Sequence, residues 1–250
     1  MTRCRVELTG KVVLITGSAE RVGRETALLL ARRGAEVVIQ YRSKPEKAES
    51  AAAEVAAIRG SRPLTVYGDI SRRQDWEAMR DAVLERHGRI DVLVNNAAIF
   101  YKTPFLDSGD DEWDHFMNVN LRGVYLGCRI VGEVMVRQGG GKIVNVVDVA
   151  AERVWPSYIP YCVSKAGVAA LTKGLAQALA PTVTVNGVAP GTVLLAEEYD
   201  PAEEQALIDR TPLKRVGEPG DIARAIAFLI ADGDFVNGAI IPVDGGRSLA

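Results

Sequence analysis

Short apolar runs alternate along the chain with longer stretches whose apolar positions repeat at helical spacing. The runs Lys11 to Thr16, Ala35 to Ser43, Pro63 to Tyr67, Lys142 to Val147, Thr182 to Gly191 and Ala239 to Val243, with the one that starts at Ile90 and reaches Asn95 and Asn96, are dense in Val, Ile and Leu. Continuous runs of this kind predict strands covered on both faces. Between them, helices are predicted at RETALLLARRGA closed by Gly34, at Pro45 to Arg59, at Arg73 to His87 closed by Gly88, from Tyr161 onwards, and at Glu218 to Ala231. Asp111 to Arg137 reads as one long or broken helical region. The polar segment of about 192–215 has no strong period and reads as an irregular lid or substrate loop.

Regular alternation of strand and helix predicts an α/β fold with seven strands in a doubly wound parallel sheet and right-handed crossovers. In such a sheet, ligands bind outside the C-terminal ends of the strands. The glycine turn after Thr16, Asp69, Asn96, Asp148 and Pro190 all follow predicted strands, so they are expected to converge on one edge.

Composition narrows the function without naming it. The 250 residues, 48% hydrophobic and 25% charged, suit one domain over the whole of 1–250. A net charge of −2 and a pI near 5.8 recommend neither nucleic acid nor an anionic membrane as partner, and a small-molecule substrate is expected. Cys4, Cys128 and Cys162 form no disulfide framework, and the N-terminus has no signal-like apolar core, so a cytoplasmic location is expected. With two histidines and no cysteines at ligand spacing, no metal site is expected.

Three stretches carry candidate chemistry. GSAERVG joins a strand to a helix, as in turns whose backbone approaches a phosphate at a helix N-terminus, although helix caps also use glycine. After the second strand, where NAD-binding units place an acid for the ribose hydroxyl, stand Gln40, Tyr41, Arg42 and Ser43. With Arg21 nearby, that end of a pocket is suited to a 2′-phosphate. Asp69 is placed either near an adenine edge or as a helix cap. Asn95 and Asn96 end a buried strand, where they hold loops or ligand, and Asn120 interrupts a helical region, where a water or a backbone carbonyl would explain it. In the third stretch, Gly141 to Gly167, a strand delivers Asp148 towards a helix on which Tyr161 and Lys165, four residues apart, share one face. A Tyr and a Lys at that spacing are by themselves more often surface residues.

Taken together, TGSAERVG, NNAA, Asn120, Tyr161 with Lys165, Pro190-Gly191 and VDGG resemble the short-chain dehydrogenase/reductase family over essentially the whole chain. The resemblance implies a single-domain Rossmann-type fold, a nicotinamide cofactor and a homotetramer built on the central and penultimate helices. It implies Tyr161 as proton donor, Lys165 as the group that binds the nicotinamide ribose and lowers the tyrosine pKa, and Asn120 as holder of a relay water. The dinucleotide would contact Thr16, Gly17, Arg21, Val22, Gly23, Tyr41, Arg42, Ser43, Asp69, Ile70, Asn96, Ala97, Ala98, Tyr161, Lys165, Pro190, Gly191 and Val193. Substrate would meet Phe100, Asp148, Tyr161 and Leu194.

Two departures from the general family pattern point further. Arg21 replaces a glycine of the turn, and Asp148 stands thirteen residues before Tyr161, where a serine is usual. With Tyr41-Arg42-Ser43 and the stretch around Phe100, these are similar to the pteridine reductase branch. There the arginines bind NADPH phosphates and the aromatic stacks on a pterin, with ordinary core packing as the lesser alternative for Phe100. The expected function is NADPH-dependent hydride transfer to a C=N bond of a dihydrobiopterin-like or folate-like pterin. The alternatives are a carbonyl or alcohol oxidoreductase such as a 3-oxoacyl-carrier-protein reductase, and a non-catalytic nucleotide-binding protein.

Overall fold

The computed structural model of the protein describes residues 8–193 and 200–249. Strands β1 (Val12–Ile15), β2 (Glu36–Tyr41), β3 (Leu64–Tyr67), β4 (Val92–Asn95), β5 (Gly141–Val146), β6 (Val183–Pro190) and β7 (Ile240–Val243) form one sheet in the order β3-β2-β1-β4-β5-β6-β7. Every pairing is parallel. Chain direction across the sheet reverses between β1 and β4, where Ile15 lies beside Ile39 on one side and Val94 on the other. That reversal opens a crevice at the C-terminal edge.

Alternate residues of each strand feed two apolar layers, as the pleat requires. Val13, Ile15, Val37, Ile39, Val92, Val94, Val144 and Val146 pack under α1 (Arg21–Arg32), α2 (Pro45–Arg59) and α8 (Pro219–Ala231). Val12, Leu14, Val38, Leu93, Ile143 and Val147 pack under α3 (Arg73–His87), α5 (Gly123–Arg137) and α6 (Ile159–Ala178). Both faces are therefore covered, which is why the strands read as continuous apolar runs rather than alternating ones.

One segment takes a form that the sequence left open, and another differs from expectation. The long helical region is α4 (Asp110–Phe116) continued by a π-helical turn, Met117–Arg122, into α5. Asn120 sits in that wider turn and its side chain bonds outside the helix, which favours the irregularity. The segment expected to be irregular contains α7 (Pro201–Asp209). Asp200 accepts from the Ala202 amide at 3.0 Å, Pro201 takes the first turn, and Glu203 and Glu204 favour the positive dipole end. No residue of α7 is buried, so no apolar stripe existed for periodicity to detect. Leu194, expected to touch substrate, lies outside the described residues. Among the described residues no helix is long and apolar enough to cross a membrane, and no group of three or more metal-ligating side chains gathers.

Candidate active site

The C-terminal edge of the sheet opens into a cavity of about 1010 Å³. Its walls bring together Gly17, Arg21 and Val22 after β1, Tyr41, Arg42 and Ser43 at the end of β2, Ile70 after β3, Asn96, Ala97 and Ala98 after β4, Asp148 after β5, Tyr161 and Lys165 on α6, and Pro190 on β6. Its size suits a dinucleotide with room for a small substrate.

The glycine turn is built for close approach. Gly17 has φ +63°, and a Cβ on Gly23 would lie 2.4 Å from the Gly17 carbonyl oxygen. Thr16 and Gly23 thus support the turn without lining the cavity. Thr16 Oγ1 accepts from the Asn96 and Ala97 amides at 2.9 and 3.0 Å, and Asn96 Nδ2 donates to the Thr16 carbonyl at 2.9 Å. The first turn of α1 carries no acidic residue and no side-chain cap, which leaves its N–H groups available to an anion. Arg21, in place of the usual glycine, nevertheless keeps φ +52°. Left-handed backbone at a residue with a Cβ costs about 1–2 kcal/mol, and such strain gathers at functional sites.

At the far end of the cavity no acid closes β2 in the place of the one that holds a ribose hydroxyl, and Gln40 shows what stands there instead. Its Oε1 accepts from the Gly17 amide at 2.8 Å and its Nε2 donates to the Gly68 carbonyl at 2.7 Å. Gln40 therefore bolts the turns after β1 and β3 to β2. Sequence reasoning missed it, although a buried amide in an apolar strand is a signal. Asp69 does not line the cavity. Its Oδ1 accepts from the Ser71 amide and hydroxyl at 2.9 and 2.7 Å in a local turn ahead of α3, whose N-cap is Arg72 with no side-chain cap, so the helix-cap expectation is not met, and Oδ2 lies 3.7 Å from Arg42 Nη1. Burial pushes the Asp69 carboxyl up, but Ser71, Arg42 and Arg72 outweigh it and hold it low. Gly191 and Val193 also lie outside the lining. Val193 instead bridges to Gly217.

At the other end, Tyr161 Oη donates to Asp148 Oδ2 at 2.7 Å, while Asp148 Oδ1 accepts from the Ala150 amide at 2.8 Å. Burial raises the Asp148 carboxyl above its usual range, against the Ala150 amide, the Tyr161 hydroxyl and the charges of Lys165 and Arg247. Sequence reasoning did not find Arg247, which arrives from the chain's far end. Burial and the facing carboxylate push the Tyr161 hydroxyl well above its usual value. That corrects the expectation that Lys165 depresses it. Lys165 Nζ sits 5.8 Å from the ring centre and donates to the Val146 carbonyl at 2.8 Å, so Asp148 dominates the phenol's surroundings. Lys165 itself is lowered by burial to about 8, against Asp148.

Asn120 holds the backbone of Ile99 from both sides, accepting from its amide at 2.9 Å and donating to its carbonyl at 3.0 Å. A longer contact reaches Ser164 Oγ at 3.3 Å, and Ser164 donates to the Tyr161 carbonyl at 2.6 Å. The side chain is thus a brace between the β4 turn and α6, with the backbone carbonyl that its position in a helical region called for as one partner, and it does not line the cavity. Phe100 lies beside the lining rather than in it. The Thr103 amide donates to the Ser157 carbonyl at 2.7 Å and ties this segment to the start of α6. Phe100 consequently stacks on Tyr158, centroids 4.7 Å apart and planes within 2°, and meets Tyr161 edge-on at 4.8 Å. Trp155 lies nearly parallel to Tyr161. An aromatic frame therefore packs around the Tyr161 ring, and its Trp155 and Tyr158 were not foreseen.

Chemically, the edge offers two proton-holding groups in contact, with a cation behind them. A carboxyl that keeps its proton both accepts from Tyr161 and presents an O–H; when ionised it only accepts. The residues fit a nicotinamide dinucleotide: a glycine cradle that a Cβ would fill, free helix N–H groups, and a cavity that reaches Tyr161.

Comparison with known proteins agrees. A family model described as Enoyl-(Acyl carrier protein) reductase matches residues 17–248. The chain is 38% identical over 245 residues to the 3-oxoacyl-[acyl-carrier-protein] reductase FabG of Thermotoga maritima, covering 96% of this chain and 99% of that one. Levodione reductase superposes with a TM-score of 0.93 at 34% identity, covering 98% of this chain and all of that one. The gluconate 5-dehydrogenase of Burkholderia cenocepacia J2315, solved in complex with NADP and tartrate, superposes with a TM-score of 0.92 at 36% identity, covering 98% of each chain. From the Rossmann-type sheet, the glycine cradle and the Tyr161–Lys165 edge, together with these matches, the chain belongs to the short-chain dehydrogenase/reductase family of nicotinamide-dependent oxidoreductases.

Proposed function

We propose that the protein is an NADPH-dependent oxidoreductase that interconverts a ketone and a secondary alcohol. The observation that carries this reading is the Tyr161–Asp148 hydrogen bond of 2.7 Å at the cavity's inner end, where a proton is held ready for an oxygen. The similar proteins named above, a 3-oxoacyl reductase, levodione reductase and gluconate 5-dehydrogenase, support carbonyl chemistry. The absence of an acid after β2, with Arg21, Arg42 and Ser43 lining that end, supports a 2′-phosphate and hence NADPH.

A bound nicotinamide supplies the hydride. Tyr161 Oη donates its proton to the substrate oxygen, and the Asp148 carboxyl in contact with it, when it carries a proton, presents a second O–H to the same oxygen as a serine would. Lys165, anchored on the Val146 carbonyl, places positive charge behind the phenol as the proton leaves. Asn120 keeps the Ile99 turn in register with α6, so the cavity wall and Tyr161 move as one unit. In the oxidative direction the same groups take the proton back.

A specific observation favours a second reading, reduction of a pterin C=N bond. Asp148 is a carboxyl rather than a hydroxyl, so when ionised it accepts ring N–H groups, and Phe100 offers a flat apolar neighbour. A homotetramer remains part of the proposal, supported by exposed Tyr125 and Val136 on α5 and Phe228 on α8.

Oxidation of NADPH and of NADH is to be followed with a 3-oxoacyl thioester, a cyclic diketone and an oxidised pterin. Turnover of either carbonyl at least tenfold above the pterin supports the first reading, and the reverse order supports the second. No turnover with any of them overturns both.

A further inference from the structure

Among the described residues, three other than glycine have a left-handed backbone: Arg21, Lys44 and Lys214. The first two flank the same end of the cavity. Lys44, at φ +59°, precedes α2 and lines the cavity beside Arg42 and Ser43; Glu20 lines it beside Arg21. Between the two segments runs an ion pair, Lys44 Nζ to Glu20 Oε1 at 2.9 Å. Lys47, one turn along α2, holds the other oxygen, Glu20 Oε2, at 2.5 Å and does not line the cavity.

Exposed pairs of this kind contribute little to stability, so the Glu20 contact does not account for a strained backbone at Lys44. The Lys44 carbonyl accepts from the Lys47 and Ala48 amides at the start of α2, and strained backbone of this kind gathers at functional sites. We propose that Lys44 is a third cation for the 2′-phosphate of the adenosine half, a role that rests on the NADPH reading above. Arg21, Arg42 and Lys44 line this end together, from the glycine turn, from β2 and from the start of α2, and the Glu20 contact ties Lys44 to the glycine turn. When a phosphate monoester enters, Lys44 exchanges a carboxylate for a dianion. Lys47 stays on Glu20, so the carboxylate keeps a counter-charge beside the phosphate rather than repelling it. The pair is thus a placeholder that orients Lys44 for a ligand of the same sign and greater charge.

Titration calorimetry with adenosine 2′,5′-bisphosphate and with 5′-AMP tests the assignment on the whole chain. Lys44→Ala is expected to weaken the bisphosphate roughly tenfold, about the worth of one charge-assisted hydrogen bond, and to change 5′-AMP less than twofold. Lys44→Gly should lose the same selectivity while melting no lower than wild type, because glycine adopts φ +59° without strain. Such a pairing separates ligand binding from a structural role. Lys47→Ala, which removes an equal charge one turn away, should alter bisphosphate binding less than threefold. The role of Lys44 is overturned if Lys44→Ala leaves the bisphosphate unchanged, or if both lysine variants weaken it equally, since the effect would then be a diffuse field. If wild type fails to prefer the bisphosphate over 5′-AMP, the NADPH reading itself falls and this assignment with it.

Discussion

The hydroxyl of Tyr161 and the carboxyl of Asp148, thirteen residues apart in sequence and on different elements, meet at 2.7 Å. Burial raises the hold of both on a proton; the Asp148 carboxylate raises that of Tyr161 further, while the Tyr161 hydrogen bond works against the rise at Asp148. Asp148→Asn retains an acceptor of the same shape but no ionisable proton, so kcat should fall by roughly 10² or more. Stability should move the opposite way. A carboxyl raised in the folded state contributes stability that is full below its unfolded value and is lost as pH rises through the folded value. Melting curves should therefore place Asp148→Asn at or above wild type at pH 7–8 and lose that advantage towards pH 4. A large destabilisation at neutral pH would make Asp148 a structural acid instead.

Asp148→Ser distinguishes the two substrate readings. On the carbonyl reading the hydroxyl still donates to the oxygen, and ketone turnover should stay within about tenfold of wild type. On the pterin reading, turnover should drop by roughly 10² to 10⁴ through loss of a positioned proton-transfer group. Steady-state rates on both substrate classes, with cofactor affinity as a control, make the comparison.

Lys165, lowered to about 8 by burial, should set the alkaline limb of the reduction profile. Above that pH the ammonium loses its charge behind Tyr161, and kcat/KM should fall about tenfold per unit. The linkage has the opposite sign to that of Asp148. Between about 8 and the ordinary lysine value of 10.5, the unfolded chain binds more protons than the folded one, so folded stability rises with pH. Wild type should gain on Lys165→Met in melting temperature across that window. A flat difference would mean that Lys165 titrates normally.

Arg21 carries strained backbone where the family pattern has glycine. Arg21→Gly should release up to about 1 kcal/mol, a rise of roughly 2–4 °C in melting temperature for a chain of this size. Affinity for NADPH should fall about tenfold, with NADH little changed. If both cofactors weaken together, Arg21 shapes the turn rather than reading the phosphate.

Asn120→Ala would leave the Ile99 amide and carbonyl without their partners. Unpaired buried groups cost about 1–3 kcal/mol. Because the brace ties the cavity wall to α6, KM should rise along with a fall in kcat, and Ile99 should lose protection in hydrogen exchange. A fall in kcat with unchanged KM and exchange would favour a direct part in proton transfer.

Periodicity reports burial along a local stretch, and in this chain burial was nearly uniform from strand to strand. Continuous runs such as KVVLIT and KIVNVV therefore revealed a sheet covered on both faces, and the alternation with helices determined its parallel winding. The same reasoning carried Gly17, Arg21, Arg42, Asn96, Asp148, Tyr161 and Lys165 to one edge, because each follows a strand or lies on the helix after one. Helix α7 escaped since it buries nothing, although Asp200 and Pro201 mark its start. An interruption at Asn120 was legible, but its π-helical form was not, because the Ile99 backbone that Asn120 bonds lies twenty-one residues away.

By itself, then, the sequence determined the architecture, the edge that holds the site and the spacing that puts Tyr161 beside Lys165. Only the tertiary structure decided what each polar group faces. It gave Gln40 to two turns, Asp69 to Ser71, Lys44 to Glu20 and the Tyr161 proton to Asp148 rather than to the influence of Lys165. Apolar burial follows patterns that a few neighbouring residues specify, whereas hydrogen bonds and proton affinities depend on distances between segments far apart in the chain, and packing alone sets those distances.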